Sequence, residues 1–242
     1  PFKSPLLLEP RLRSPFNTVA LLNISSISPR ARSNIEISPV MSVILKIIKL
    51  LLMIFRNEMQ ELIKYGRKMV DAGLVHSHFG NISKRVGDRM LISTTGSMLD
   101  ELEGQIISVP IDPATPDELD VIASSEVNVH RTIYKHTSAL AILHGHSKYA
   151  VVLSMLYGPY EQIVPEDSES IYLLHEIPVV SGGIGSEELA INAASALRDH
   201  KAVIARGHGT FARGATVDEA FVILSSVEHA CEVKYLVDMA QN

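Results

Sequence analysis

At 242 residues the chain is long enough for one good-sized domain with a substantial core, or for one domain and an appendage. Its 46% hydrophobic and 20% charged residues describe a globular rather than a disordered chain, and a formal charge of −5 gives no reason to expect a nucleic-acid partner, which would call for a basic surface. A single cysteine, Cys231, excludes an intrachain disulfide and any cysteine-based metal motif, and fits a reducing, cytoplasmic location.

The first 58 residues differ from the rest. The sequence opens on Pro1 rather than Met, and Pro1 to Pro39 is rich in Ser, Pro and Arg, with acidic groups only at Glu9 and Glu36. That composition is transit-peptide-like and equally that of a loose extension. Val43 to Phe55 is apolar apart from Lys46 and Lys49. It falls short of the ~20 residues a membrane span needs, so no membrane is expected. Residues 1–58 are read as an atypical, dispensable extension in preference to a membrane-surface or partner helix. Met41 and Met59 are both candidate starts.

From Glu58 the pattern sharpens. Met59, Leu62, Ile63, Met69 and Val70 recur at helical spacing, and Gly73 suits a left-handed helix end. His76-Ser77-His78 then precedes Gly80-Asn81 at a turn or strand edge. Met90 to Ser93 predicts a strand running into Thr94-Thr95-Gly96-Ser97, where small hydroxyl residues around a glycine can offer donors to an anion. Ile106 to Ile111 predicts another strand, and residues 113–120 a polar loop.

Ser124-Ser125-Glu126 precedes Val127, His130, Ile133 and Tyr134 at helical spacing. The serines suit N-caps, with Glu126 in the first turn; alternatively the free N–H groups there help to hold a phosphate, with Glu126 an acid/base beside it. His130 is assigned a structural hydrogen bond.

Ala139 to Leu143 suits a short buried strand, and side chains two apart on a strand share a face, so His144 and His146 project together. Two imidazoles with a third from a distant loop make a set suited to a divalent metal, since catalytic zinc takes about three protein ligands and keeps a position open. On spacing alone His76/His78 competes for that role. Lys148 to Leu156 continues as a helix, Tyr157 to Glu169 as a polar loop, and Ile177 to Val180 as a strand. The glycines of Ser181 to Ser186 match no nucleotide pattern and are read as a turn before a helix over Glu187 to Arg198. Ala202 to Ala205 is the strand that delivers His208, whose flanking glycines allow close backbone approach, and Val217 to Val237 is a final helix carrying Cys231 as a packing residue.

Taken together and in this order, Gly80-Asn81-Ile82-Ser83, Thr94-Thr95-Gly96, Ser124-Ser125-Glu126, His144-Gly145-His146 and Arg206-Gly207-His208-Gly209 resemble the class II aldolase/adducin family. Within it they are most similar to the L-fuculose-1-phosphate aldolases of the short archaeal type, over Met59 to the C-terminus. The resemblance implies an α/β fold, a three-layer α/β/α domain with a largely antiparallel central sheet, over residues 59–242. It implies Zn2+ held by His144, His146 and His208, a substrate phosphate cradled by Asn81, Thr95, Gly96, Ser124 and Ser125, and Glu126 as catalytic acid/base. It places no metal at His76/His78. It further implies a small sugar-phosphate substrate, a homotetramer with sites at subunit interfaces, and cleavage to dihydroxyacetone phosphate and a small aldehyde.

The metal of that family stabilises enediolate charge as a Lewis acid, in place of a Schiff-base lysine. Two departures stand out. The family's proton-donating tyrosine from a neighbouring subunit has no aligned counterpart, the region reading Val164-Pro165-Glu166-Asp167 with Tyr157 and Tyr160 earlier. A C-terminal tail that closes some family sites is also expected to be missing after Asn242. Among siblings, ribulose-phosphate 4-epimerases resemble the pattern but carry Asp after the paired serines, so Glu126 favours the aldolase. The intact Ser-Ser-Glu argues against a methylthioribulose-phosphate dehydratase. A non-catalytic adducin-like module would lose the metal histidines, all of which are present.

Overall fold

The computed structural model describes residues 39–76, 78–112, 114 and 117–241; the expectations for the first 38 residues lie outside these. The described residues fall into two units, one ending at Met53 and one beginning at Ile54. Helix α1, Pro39–Asp71, runs through the boundary. In the first unit its apolar side chains, including Val43, Ile47, Leu50 and Met53, are exposed. No helix among the described residues is long and apolar enough to cross a membrane.

In the second unit the predicted helical spacing is borne out, with Leu62, Ile63, Tyr65 and Met69 buried along one stripe. The helix ends as its glycine suggested. Gly73 sits at φ +70°, its N–H bonds to the Val70 carbonyl, and the Leu74 N–H reaches back to Met69. This is a Schellman termination, in which a left-handed glycine lets the last carbonyls find donors.

The second unit is built on an eight-stranded sheet of order β3-β2-β1-β4-β8-β7-β6-β5. Its strands are β1 Asn81–Val86, β2 Arg89–Ser93, β3 Ile106–Pro110, β4 Ala141–Gly145, β5 Gln162–Ile163, β6 Ile177–Val180, β7 Ala202–Ala205 and β8 Gly209–Gly214. Every neighbouring pair is antiparallel except β6 and β7. That parallel pair requires a crossover, which the helix between them provides.

The helices are α2 Val127–His136, α3 Lys148–Leu156, α4 Ser168–Leu174, α5 Glu187–Ala196 and α6 Val217–Gln241. Alternation along the strands builds two cores, one on each face. Leu91, Leu143, Ile204 and Ala212 pack with α3, α4, α6 and the later half of α1. Their chain neighbours Met90, Ile92, Ile142, Val203 and Phe211 pack with α2 and α5 on the other side. Each large side chain so buried contributes roughly 1.5–3 kcal/mol. The expected three-layer α/β/α domain with a largely antiparallel sheet is the fold observed.

Several details differ from the sequence reading. The stretch from Tyr157 to Glu169 contains β5 and the start of α4, whose first turn is capped by Asp167 accepting from the Ser170 N–H. The segment before α2 forms a 3-10 turn over Glu118–Ile122, capped by the Asp117 side chain. Strand β8 had no sequence signal of its own. Cys231 is buried in the core as a packing residue, its thiol pushed up by burial.

Candidate active site and metal centre

His144 lies near the end of β4 and points to the face covered by α2 and α5, where its ring stacks on Phe211 with centroids 3.9 Å apart. His146 lies one residue past the strand rather than within it, yet still converges: its Nε2 is 2.9 Å from the His144 Nε2. His208 arrives from the turn between β7 and β8, with its Nε2 3.4 Å from that of His144. Among the described residues these three are the group able to hold a metal ion, all their ligand atoms lying within 4.8 Å of one another. His76 and His78 are exposed and outside that group, so the competing pair is set aside.

Glycines permit this convergence. A Cβ on Gly209 would stand 2.4 Å from the Gly145 carbonyl oxygen, 2.9 Å from His146 Cδ2 and 3.0 Å from His144 Cε1. Gly80, at φ +75°, presses against the His144 carbonyl, where a Cβ would come within 2.4 Å of the oxygen. Strand register does the rest, setting Asn81 opposite His144.

The electrostatics of the cluster call for a cation. Burial holds His144 well below the usual imidazole range and brings His146 down to about 4, with the neighbouring imidazoles adding to both effects. Burial lowers His208 as well. The three rings are therefore neutral near pH 7. The His144 Nδ1 lies 3.0 Å from the Thr210 carbonyl and must donate to it, which leaves a lone pair on Nε2. That lone pair faces the Glu126 Oε2 at 3.0 Å, and His208 Nε2 lies 3.9 Å from Oε1. Several acceptors thus meet in one buried spot, and three neutral imidazole nitrogens beside a carboxylate make the donor set of a divalent ion.

Glu126 occupies the N-cap position of α2 but its side chain makes no cap. It turns into the site, where Oε2 accepts from Asn81 Nδ2 at 2.9 Å and the carboxylate also accepts a backbone N–H from Gly185. Burial, the largest influence, raises its pKa, and the Asn81 and Gly185 donors partly offset this. Oε1 is buried without a hydrogen-bond partner among the described residues. A buried carboxylate with one committed and one open oxygen is suited to proton transfer.

The hydroxyl segments are brought side by side. Thr94 bridges to Ala123, the Thr95 N–H bonds to the Ile122 carbonyl, and the Ser124 N–H bonds to Ser93. Ser124 is buried, with its Oγ accepting from the Glu126 N–H, while Thr95, Gly96 and Ser125 are exposed. The serines therefore flank Glu126 without capping the helix by a side chain. The Ser181 to Ser186 loop, read from sequence only as a turn, closes the same corner. Gly185, at φ +65°, sits so near Ser125 that a Cβ would lie 2.5 Å from its carbonyl oxygen. Sequence reading missed Gly185, Thr210, Phe211 and Phe79, whose ring stacks on His146 with centroids 5.6 Å apart. No side-chain motif marks backbone donors or stacking partners.

Comparison with known proteins identifies the family and its fold. The model of the class II aldolase and adducin N-terminal domain matches residues 60–235. An L-fuculose phosphate aldolase of Methanococcus maripaludis is 30% identical over 178 residues, 73% of this chain and 95% of that protein. A methylthioribulose-1-phosphate dehydratase of Gluconobacter oxydans is 29% identical over 199 residues, 74% of this chain and 93% of that protein. Among solved structures, L-fuculose-1-phosphate aldolase from Thermus thermophilus superposes with a TM-score of 0.69 at 30% identity, covering 75% of this chain and 94% of that one. The family match, the shared fold and the histidine cluster lead to one conclusion: the chain belongs to the class II aldolase and adducin family, as a metal-dependent aldehyde-lyase.

Proposed function

We propose that the chain is a zinc-dependent aldolase that cleaves L-fuculose 1-phosphate, or a related ketose 1-phosphate, to dihydroxyacetone phosphate and a small aldehyde such as lactaldehyde. The observation that carries this reading is the convergence of the His144, His146 and His208 ring nitrogens on one another, with the Glu126 carboxylate against those of His144 and His208. His144, His146 and His208 would hold the zinc, which when bound supplies Lewis-acid stabilisation of the negative charge that develops as the carbon–carbon bond breaks.

The chain's own residues do the rest. Glu126 transfers the proton at the carbon of dihydroxyacetone phosphate that becomes nucleophilic, and burial brings its pKa closer to the working pH. Asn81, Thr95, Gly96, Ser124 and Ser125 hold the substrate phosphate. Fixed donors there orient the reacting carbons and so lower the entropy cost of reaction. Residues 59–242 form the catalytic domain and residues 1–58 an extension. A homotetramer in the cytoplasm is the working form, a reading that rests on the family resemblance and on the single cysteine.

The dehydratase relative supports a second reading, loss of water from methylthioribulose 1-phosphate. The purified, zinc-loaded chain should therefore be given L-fuculose 1-phosphate, methylthioribulose 1-phosphate and L-ribulose 5-phosphate in parallel. The aldolase reading expects dihydroxyacetone phosphate from the first. Dehydration of the second, or epimerisation of the third, in the absence of that product would replace it. Folded protein that takes up no metal and turns over none of the three would indicate an adducin-like module.

A further inference from the structure

A buried polar chain runs from α2 through β1 to Glu126 and includes a histidine that the chemistry above leaves unused. The Tyr134 hydroxyl is 2.8 Å from Ser83 Oγ, which is 2.6 Å from His130 Nδ1. The other ring nitrogen, Nε2, is 2.6 Å from Asn81 Oδ1, and Asn81 Nδ2 is 2.9 Å from Glu126 Oε2. His130 is fully buried, and burial lowers its pKa to about 3, so it is neutral and carries one ring proton.

The polarity of the chain follows from its end. A carboxylate only accepts, so Asn81 must turn its NH2 to Glu126 and its carbonyl to His130. His130 must then donate from Nε2 and accept at Nδ1 from the Ser83 hydroxyl, and Ser83 must accept from Tyr134. Every donor points toward Glu126, and hydrogen bonds aligned in one direction strengthen one another.

We propose that His130 is a positioning residue: its Nε2–H locks the Asn81 amide so that Nδ2–H holds one oxygen of Glu126 and leaves the other free for the substrate. This rests on the reading of Glu126 as the proton-transfer group. Without the His130 donor, the Asn81 amide can rotate and present its carbonyl to the carboxylate, which repels it.

The test uses the full-length, zinc-loaded chain. His130→Phe keeps a ring of similar size but no N–H, and a small misplacement of reacting groups costs up to ~10²-fold. Turnover is expected to fall roughly 10- to 100-fold with zinc content unchanged. His130→Gln, which returns an N–H near the Nε2 position, should recover most of that loss. Wild-type turnover in folded His130→Phe, or no recovery with glutamine, would overturn the proposal. Two-bond 1H–15N spectra of histidine-labelled protein supply an arm independent of activity and of whether the phenylalanine variant folds. They should show His130 as the Nε2–H tautomer. An Nδ1–H tautomer would mean the chain runs away from Glu126, and the proposal would fail. If the unaltered chain cleaves no sugar phosphate, the reaction assigned above is wrong, while the tautomer still decides the direction of the chain.

Discussion

Gly209→Ala is the most informative single perturbation of the metal centre, because it changes no ligand and no charge. The added methyl would lie 2.4 Å from the Gly145 carbonyl oxygen, 2.9 Å from His146 Cδ2 and 3.0 Å from His144 Cε1. Carbon and oxygen pack no closer than about 3.3 Å, so β4 and β8 must part locally by about 1 Å. Overpacking of this kind costs typically ~1–3 kcal/mol, and at ~2–4 °C per kcal/mol it should lower Tm by roughly 2–12 °C. Both histidines also move relative to His208, so zinc affinity should fall by at least about tenfold, the equivalent of ~1.4 kcal/mol. Calorimetry and competition against a chelating dye read the two effects separately. Gly183→Ala is the control, since a Cβ there meets only Ser186 Cβ, at 4.0 Å. Wild-type zinc affinity and Tm in Gly209→Ala would refute the argument that glycine is required for the ligands to converge.

Other outcomes follow from the same geometry. His144→Ala should lose bound zinc and activity together, as metal analysis and turnover on one preparation would show; activity without metal would contradict the ligand assignment. Glu126→Gln keeps the shape of the side chain and should retain zinc while turnover falls ~10²–10⁴-fold, the usual worth of a general acid/base; wild-type rates would remove Glu126 from the reaction. The zinc-free protein should be acid-sensitive well above the carboxylate range. His130 titrates near 6.5 when unfolded and at about 3 when folded, so between those values the unfolded chain binds the extra proton and stability falls as pH falls. From pH 7 to pH 5 this costs about 2 kcal/mol for His130 alone. Lowered His144 and His208 act in the same direction, and raised Glu126 acts oppositely between its ordinary and its raised pKa. Urea midpoints across that range would test the sign; greater stability at pH 5 than at pH 7 would contradict it.

What could be read from the sequence was whatever has a local signature. Period-two alternation predicted that His144 and His146 would share a site, and the Gly73 helix end followed from one residue type. The spacing of Leu62, Ile63 and Met69 predicted the buried stripe of α1. Spacing alone could not choose between the two histidine pairs; the family resemblance set His76 and His78 aside, and their exposure agrees with that. Strand β8 escaped notice because Thr210 and Arg213 interrupt the apolar run by which the equally buried β4, β6 and β7 were read. The same limit applies to Gly185, which serves the site through a backbone N–H. His130 lies one helical turn after Glu126, so their proximity was readable, but its link through Asn81 depends on β1 lying alongside α2. Thr95 and Gly96 come beside Ser124 and Ser125 because the Thr94–Ala123 bridge joins two segments that are distant in sequence.

Metal-dependent carbon–carbon cleavage is proposed at the cluster of His144, His146, His208 and Glu126. Its most direct test is a retro-aldol assay on the purified chain with L-fuculose 1-phosphate, coupled to detection of dihydroxyacetone phosphate, with and without a chelator. Product should be released, the chelator should abolish that release, and added zinc should restore it. Release that is indifferent to the chelator, or no release from protein shown to contain zinc, would contradict it.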